Sequence, residues 1–504
     1  MIKMIRLLTL FIGLVLSITS CQQKKETETE HPNIVYILAD DLGYGDLSCL
    51  NDSSKINTPN LDKLAGQGMI FTDAHSNSAV CTPTRYGTLT GRYAWRTRLK
   101  SGVLWGTDGH LINPERTTVA SLLKKNGYQT ACIGKWHLGL DFAKDSTDTF
   151  DFFAPIKNTP NTIGFDYSFI IPSSLDIPPY FYVENDRITA TQIDTVDKMA
   201  GKAFWRKGLC GNDFKHIEVL PKLTEKAVGF ITEQSKIDKT FFLYLPLPAP
   251  HTPILPTEEF QGKSNTNEYG DFVLMVDDVV RQIVQALKEN GVAENTLIIF
   301  TSDNGCSPMA DFAELEGLGH DPSYVFRGHK ADIFEGGHRV PFITKWPARI
   351  NAGTSSSEII CATDLLATCS AIVGDTLNND EGEDSYNILP ALLGQKTGRP
   401  IREAIVHHSV NGSFSIRKGK WKLEFCPGSG GWSFPRPKKA KELELFPVQL
   451  YNLEEDIAEE NNLAESNPKL VKELTALMQK YIDEGRSTPG TIQQNEGITV
   501  LLKE

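Results

Sequence analysis

Residues 33–41 read Asn33-Ile34-Val35-Tyr36-Ile37-Leu38-Ala39-Asp40-Asp41, an uninterrupted apolar run that ends in two carboxylates. A run without polar alternation is typical of a strand that is buried on both faces of a parallel sheet. Acidic residues at the carboxyl end of such a strand lie where open α/β sheets bind their ligands. The stretch therefore predicts an α/β fold and a candidate site at one edge of its sheet.

Three further apolar runs have the same form, a strand-like segment followed by polar residues. They are 128–133 before Lys135 and His137, 241–245 before His251, and 296–301 before Asp303 and Asn304. Any one polar cluster has an ordinary explanation as a strand-end turn or a helix cap. Four at the same edge of one sheet describe a polar depression that core packing does not require.

Helical patterns separate these runs, and a second region follows them. Helices are predicted near 58–66, 118–125, from 223 onward and over 269–288. After Gly394, short strand-like segments precede a helix that begins at Pro468 with Asn467 as its cap, which predicts a small antiparallel α+β domain. The strand-like segments are 403–409, 413–417 and 421–425.

Residues 140–222 contain several prolines and little periodicity, which predicts loops with short elements. Long ordered loops on a rigid sheet usually shape a binding site. Asp176 in this region is a candidate substrate contact, although a capping or turn role is the more ordinary interpretation.

The predicted edge combines oxygen ligands with cations. Asp40, Asp41, Asp303 and Asn304 offer three carboxylates and an amide oxygen, a set suited to calcium or, less well, magnesium rather than zinc. Arg85, Lys135 and Lys330 would surround an anion beside the metal. This arrangement suits phosphoryl or sulfuryl transfer.

One further stretch specifies the chemistry. Residues 78–85 read Ser-Ala-Val-Cys-Thr-Pro-Thr-Arg and lead to Thr90-Gly91-Arg92. They resemble the Cys-x-Pro-x-Arg signature of the type I, formylglycine-dependent sulfatases, the arylsulfatase-like branch of the alkaline phosphatase superfamily. Segments 134–139 (GKWHLG), 327–330 (RGHK) and 450–454 (LYNLE) resemble the same family in the same order, and the likeness is to its bacterial polysaccharide-sulfatase type.

The resemblance implies a role for each site residue. Cys81 would be oxidised to formylglycine, whose hydrated aldehyde is the nucleophile, and would also join the calcium ligands Asp40, Asp41, Asp303 and Asn304. The remaining implied roles are Arg85 holding the formylglycine, Lys135 and Lys330 binding sulfate oxygens, His137 assisting collapse of the sulfated intermediate, and His251 lying beside the leaving oxygen. It also implies an alkaline-phosphatase-like large sheet, a sulfated carbohydrate substrate of the galactose or N-acetylgalactosamine type, and a formylglycine-generating maturation enzyme.

Two other functions remain open at this stage. Formylglycine-dependent phosphonate or phosphodiester hydrolases share the Cys-x-Pro-x-Arg core. A non-catalytic glycan-binding lipoprotein is a different class, since a fold does not guarantee an activity. The formal net charge of −12 argues against nucleic acid as a partner.

The N-terminal sequence predicts export to the bacterial cell envelope. A short basic start and an apolar run over 7–18 lead to Cys21 in a lipobox-like context, so residues 1–21 are predicted as a lipoprotein signal peptide with Cys21 lipidated. An ordinary cleaved secretory signal is the alternative. Residues 22–31 would be a flexible tether, 32–395 the catalytic domain and 396–504 the C-terminal subdomain.

Overall fold

The computed structural model describes residues 31–396 and 398–502, and the chain from Pro32 onward forms one compact unit. Its strands are β1 Asn33–Asp40, β2 Met69–Phe71, β3 Ala74–His75, β4 Gln129–Lys135, β5 Tyr167–Ile171, β6 Val183–Glu184, β7 Arg187–Ile188, β8 Ile193–Val196, β9 Gly208–Gly211, β10 Phe241–Pro250, β11 Thr296–Ser302, β12 Phe342–Lys345, β13 Thr354–Ser356, β14 Ile360–Cys361, β15 Ile405–His408, β16 Phe414–Lys418, β17 Trp421–Glu424 and β18 Gln449–Asn452. Its α-helices are α1 Pro59–Gly66, α2 Cys81–Thr90, α3 Val119–Lys125, α4 Val219–Lys236, α5 Glu268–Glu289, α6 Phe312–Gly317, α7 Glu335–His338, α8 Leu365–Val373, α9 Leu389–Leu392, α10 Pro437–Glu442 and α11 Pro468–Asp483.

Ten strands form one mixed sheet in the order β13-β2-β12-β11-β1-β10-β4-β5-β6-β7. The five central strands, β11, β1, β10, β4 and β5, are parallel to one another. On the two flanks β12 and β6 pair antiparallel with them. The carboxyl ends of the five parallel strands therefore meet at one edge, as the sequence predicts.

Alternate side chains of β1 enter two separate cores. Val35, Ile37 and Ala39 pack with apolar residues of α1, α4 and α5, whereas Ile34, Tyr36 and Leu38 pack with those of α2, α3 and α8. Both faces of the strand are covered, which explains why its sequence is apolar without alternation. Each fully buried Val or Ile side chain contributes about 1.5–3 kcal/mol.

The predicted strands of the large sheet and the predicted helices that flank it are confirmed, with two differences. Helix α4 begins at Val219 rather than at Leu223, because Pro221 is tolerated in the first turn of a helix. Residues 140–222 contain β5–β9, and β5 extends the parallel sheet beyond β4. This strand is only five residues long, too short for a period to stand out among the surrounding turns.

The C-terminal sheet has four antiparallel strands in the order β15-β16-β17-β18. The three predicted strands are confirmed, and α11 packs its apolar stripe against them. Asn467 lies at the predicted cap position, but its side chain donates to the Leu463 carbonyl at 3.0 Å and does not cap the helix. The domain boundary between residues 395 and 396 stays a prediction, since the sheet belongs to the same compact unit as the rest.

Three buried histidines lie where β15 meets β3 and α7: His75, His338 and His407. The rings of His338 and His407 stack with centroids 3.7 Å apart and planes 9° from parallel. Parallel rings do not direct their nitrogens at one point, and the cations of Lys422 and Arg417 contact the group. The cluster is therefore suited to packing rather than to holding a metal ion.

This cluster makes the fold sensitive to acid. Burial lowers the pKa of His75 to about 4 and holds the pKa of His407 well below its usual range. The unfolded chain, with histidine pKa values of about 6.5, therefore binds more protons than the folded chain as the pH falls below about 7. The contribution of these histidines to the free energy of unfolding is fully present above about pH 7. It is lost progressively as the pH falls toward their pKa values in the folded state.

We expect His407→Phe, which keeps the ring stack, to reduce this acid sensitivity. Removing one such histidine lowers the slope of unfolding free energy against pH by up to about 1.4 kcal/mol per pH unit between roughly pH 5 and 6.5. Urea unfolding of both proteins across that range measures the slope. An unchanged slope would show that His407 is not among the groups that take up protons.

None of the helices in the described part of the chain is both long and apolar enough to cross a bilayer. The eight cysteines within it are free thiols.

Candidate active site

The carboxyl edge of the parallel strands brings the predicted polar residues together. Asp40 ends β1, and Asp41 follows it in the left-handed region at φ 64°. Lys135 ends β4, and His137 lies two residues further on at φ 55°. His251 follows β10, and Asp303 and Asn304 follow β11. All seven are at most 7% exposed: Asp40, Asp41, Lys135, His137, His251, Asp303 and Asn304.

The acidic centre is formed by β1 and β11. The Asp41 amide donates to Asp303 Oδ1 at 3.3 Å, and Asn304 Nδ2 donates to Asp41 Oδ1 at 2.7 Å. Burial, and next the charge on Asp40, raise the pKa of Asp303. Burial also opposes ionisation of Asp40, but the nearby positive charges, led by Lys135, together outweigh it, and the pKa of Asp40 falls below its usual range. These carboxylates repel one another unless a cation lies among them.

Cys81 is the first residue of α2, so its side chain lies at the positive end of a helix. It is 2% exposed, and burial raises the pKa of its thiol while Lys135 and Lys330 oppose that effect. Arg85, one helical turn later, donates from Nε and Nη2 to Asp303 Oδ2 at 3.0 and 2.7 Å. The Cys-x-Pro-x-Arg spacing thus places Arg85 where its ion pair with Asp303 holds α2, the helix that carries Cys81, against the acidic centre.

Two lysines complete the ring of charge. Lys135 Nζ lies 2.5 Å from Asp40 Oδ2, and Lys330 Nζ lies 2.5 Å from Asp41 Oδ1. Burial opposes the charge on Lys330, but the nearby acidic groups, led by the Asp41 carboxylate, together outweigh it and raise the pKa of Lys330. Both Nζ atoms lie at the acidic centre, where they can hold the oxygens of an anion.

The donor atoms fit a hard cation. Asp40 Oδ1 and Asn304 Oδ1 are buried acceptors with no hydrogen-bond donor among the described residues. Buried acceptors without donors are costly, and a metal ion satisfies several at once. Three carboxylates and an amide oxygen at this edge are ligands suited to calcium or magnesium, and the ligand atoms of Asp40, Asp41 and His251 lie within 4.8 Å of one another. The residues present thus fit the predicted metal site, bordered by His251 Nε2 at 3.5 Å from Asp41 Oδ2.

The two site histidines differ in their hydrogen bonds. His137 Nε2 lies 2.8 Å from the Leu104 carbonyl and must donate to it, which leaves Nδ1 unprotonated, 3.4 Å from Ser174 Oγ. His251 Nδ1 donates to the Thr252 carbonyl, which leaves Nε2 facing Asp41. Burial lowers the pKa of both histidines. The hydrogen bond to Leu104 thus holds neutral His137 in one tautomer, and the hydrogen bond to Thr252 leaves Nε2 of His251 as the nitrogen that can take up a proton.

Several residues around the site do not follow from the sequence patterns. The Leu104 carbonyl positions His137, and the Leu104 amide donates to Thr82 Oγ1 next to Cys81. From the C-terminal sheet, the His408 carbonyl accepts the Ala79 amide at 3.0 Å and so supports the segment that precedes Cys81. These are long-range backbone contacts, for which a local pattern carries no signal.

Asp176 lies at the rim of the site. It belongs to a turn in which the Ile177 amide donates to the Ser174 carbonyl. Its carboxylate, however, binds Arg206, with Oδ2 2.5 Å from Nη1. The ordinary turn interpretation thus describes its backbone, and its side chain binds Arg206, a cation that no pattern in the sequence indicates.

Comparison with known proteins gives a family. The sulfatase family model matches residues 32–374, a span that contains all the predicted catalytic and metal-binding residues. The chain belongs to the sulfatase family. It is 34% identical to the N-acetylgalactosamine-6-O-sulfatase of Bacteroides thetaiotaomicron over 94% of this chain and 98% of that one. The mouse N-acetylgalactosamine-6-sulfatase is 31% identical over 80% and 73% of the two chains.

Solved structures agree with this family assignment. One from work on the metabolism of multiple glycosaminoglycans by Bacteroides thetaiotaomicron superposes with a TM-score of 0.79 at 33% identity, covering 90% of this chain and 99% of that one. Another, crystallised with a neocarrahexaose, gives a TM-score of 0.68 at 26% identity over 90% and 93%. The predicted fold, a large mostly parallel sheet with a small antiparallel C-terminal sheet, is confirmed. As a member of the sulfatase family, the protein is a hydrolase.

Proposed function

We propose that this sulfatase removes the 6-O-sulfate from N-acetylgalactosamine, or a galactose-type relative, in a sulfated carbohydrate. The observation that carries the proposal is the 34% identity to an N-acetylgalactosamine-6-O-sulfatase that extends over nearly the whole of both chains. An alignment of this extent includes the loops around the site as well as the core, and substrate choice is made by such loops.

The roles proposed for the site residues follow from their charges and contacts. Cys81, as formylglycine, would supply a hydrated aldehyde: one hydroxyl would displace the sugar oxygen from sulfur, and the other, on losing a proton, would reform the carbonyl as the bond to the sulfate breaks. A calcium ion among Asp40, Asp41, Asp303 and Asn304 would stabilise charge on the sulfate oxygens. Lys135 and Lys330 already point toward this place, so they would hold those oxygens without rearranging.

His137 is the proposed base for release of sulfate. Its Nε2 is committed to the Leu104 carbonyl, so Nδ1 carries the lone pair that can accept a proton. Arg85 positions rather than reacts, since Asp303 and the Lys135 carbonyl occupy its guanidinium. His251 is the proposed donor to the departing sugar oxygen in the form that carries a second proton on Nε2, beside the Asp41 carboxylate, with Lys330 as the competing donor.

Sulfate release from defined substrates tests the proposed function. The substrates are N-acetylgalactosamine 6-sulfate, galactose 6-sulfate, the 4-sulfate isomers, and a phosphate and a phosphonate ester, each with calcium and after chelation. We expect the 6-sulfates to be cleaved fastest, and only with the metal. Preferred cleavage of a phosphonate or phosphodiester would favour the related hydrolase class, and no cleavage of any ester by metal-loaded, modified protein would leave a glycan-binding role.

We expect His251→Ala to affect substrates according to their leaving groups. A sugar alkoxide needs a proton as it departs, whereas a nitrophenolate leaves without one, and general acid catalysis contributes about 10²–10⁴-fold. The variant should therefore slow a sulfated sugar by that factor and an activated aryl sulfate far less. The ratio of kcat/KM values for the two substrates is the measurement.

The matched control for that prediction is His320→Ala, since His320 is buried and binds a carboxylate, Asp46, without being among the site residues proposed here. We expect it to leave the ratio unchanged. Equal losses on both substrates in His251→Ala would contradict the acid role, place His251 on the sulfate, and transfer the proton donor to Lys330.

We also propose that the protein is lipid-anchored in the bacterial cell envelope and depends on a formylglycine-generating enzyme. The support for the anchor is the lipobox-like context of Cys21, which lies outside the described residues. Fractionation of cells that express the wild type and Cys21→Ala tests it. The wild type should sediment with membranes and the variant should not; co-fractionation of both with soluble proteins would contradict the anchor.

A further inference from the structure

Three loops meet beside the catalytic histidines. The first, residues 104–106, is joined to His137 by the Leu104 carbonyl. The second, 173–179, approaches so closely that a Cβ on Gly106 would lie 2.1 Å from the Pro178 carbonyl oxygen. The third, 202–206, receives a hydrogen bond from Thr252 Oγ1, next to His251, at 2.9 Å. They form a continuous rim next to the site.

Arg206 occupies the junction of these loops. Its Nη1 donates to the Asp176 carbonyl at 3.0 Å and to Asp176 Oδ2 at 2.5 Å. Its guanidinium carbon lies over the rings of Trp105 and Phe204, 5.2 and 5.0 Å from their centroids. Two aromatic faces and a carboxylate from three separate loops thus hold one planar cation in a single orientation.

The guanidinium nevertheless keeps donors free. No group in the described part of the chain accepts a hydrogen bond from its Nε or Nη2, and the side chain is 39% exposed. Trp105 beside it is 53% exposed, although a large aromatic side chain is normally buried for stability. A strut between loops requires neither the free donors nor the exposed indole, whereas an acidic sugar would use both.

We propose that Arg206 and Trp105 form a subsite for the sugar next to the one that carries the scissile sulfate, and that this subsite binds an oxyanion on that sugar. The oxyanion is a carboxylate or a second sulfate, which the guanidinium binds through the N–H groups of Nε and Nη2. The apolar face of the sugar packs against the exposed indole. The inference rests on the proposed function and deepens it: the substrate is an oligosaccharide with an acidic unit beside the sulfated one.

The experiment compares disaccharides that differ in one group. 6-Sulfated N-acetylgalactosamine is linked, through either end, to glucuronate, to the carboxyl-reduced glucose, or to a glucose 6-sulfate. We expect wild-type kcat/KM to favour an acidic neighbour over the neutral one by about tenfold, the scale of a charge-assisted hydrogen bond. The arm that shows the preference, glucuronate or glucose 6-sulfate, identifies the source of the oxyanion.

Arg206→Gln should reduce that ratio to near one. The matched control is Lys207→Gln, which removes the adjacent charge, one that is exposed and paired with Asp197; its ratio should remain that of the wild type. Equal losses of Arg206→Gln on acidic and neutral disaccharides would show a strut only and would overturn the subsite. A wild-type ratio near one on both acidic arms would overturn it too.

Binding separates this inference from the proposed function. Calorimetric affinities for the same disaccharides without the 6-sulfate on N-acetylgalactosamine do not depend on catalysis. We expect the wild type to bind the acidic unit about tenfold more tightly than the neutral one, and Arg206→Gln to bind both equally. Failure of the wild type to release sulfate from any disaccharide counts against the proposed function, whereas absence of the binding difference counts against the subsite.

Discussion

Asp303→Asn is expected to remove both the metal ion and at least about 10³-fold of the activity, since a metal ion supplies several kcal/mol of charge stabilisation. Asp303 is fully buried and accepts from Arg85 and from the Asp41 amide. Asparagine keeps one oxygen, which can still accept both bonds from Arg85, and loses the charge together with the acceptor for the Asp41 amide. We therefore expect the fold to survive, whereas alanine would leave the buried Arg85 charge without its main partner, a change that typically costs about 3–5 kcal/mol.

The matched control is Asp364→Asn, in the buried Arg402–Asp364 pair away from the site. It removes the same charge from the same kind of pair, so its loss of stability should be comparable while metal content and activity remain. Metal analysis and sulfate release on both purified variants provide the comparison. Full activity of metal-free Asp303→Asn would contradict the metal assignment.

Cys81→Ala is expected to have the largest effect on turnover. Loss of the nucleophile in a covalent mechanism costs on the order of 10⁴–10⁶-fold in kcat. An unmodified thiol cannot substitute for formylglycine, because a thiosulfate ester has no second hydroxyl with which to expel sulfate. Alanine leaves a small gap at the start of α2, so the other four proposed metal ligands and the substrate pocket should persist.

Cys369→Ala is the control for loss of a buried thiol, since Cys369 lies in α8 and packs in the apolar core. It should retain wild-type turnover at a modest cost in stability. Initial rates on the preferred 6-sulfate, normalised to metal content, compare the two variants. Turnover by Cys81→Ala within about tenfold of the wild type would be incompatible with covalent catalysis.

The large sheet could be predicted because its signal is local and strong. Residues 34–39 are apolar at every position since both faces of β1 are covered, and the other central strands repeat that pattern. The outer strands β5, β6 and β7 were not predicted. They have five, two and two residues, and pairing with neighbours that are already present holds them in place, not any periodicity of their own.

The position of the site could be predicted for the same reason, but the contacts within it could not. Parallel strands end at one edge, so Asp40, Lys135, His251 and Asp303 had to lie near one another once the sheet was established. The ion pairs among them, such as Lys135 with Asp40, depend on distances that a sequence does not contain. The rim depends on contacts between distant loops, which explains why Arg206 was not selected although Asp176 was.

The central claim is that Cys81 acts as formylglycine, and the peptide mass of residue 81 in an active preparation tests it most directly. The protein is expressed with its own maturation machinery, assayed for sulfate release, digested, and analysed by mass spectrometry. The account predicts that the fraction of peptide in which the CH₂SH side chain has become an aldehyde rises in proportion to specific activity. A fully active preparation that carries only the unmodified thiol would contradict it.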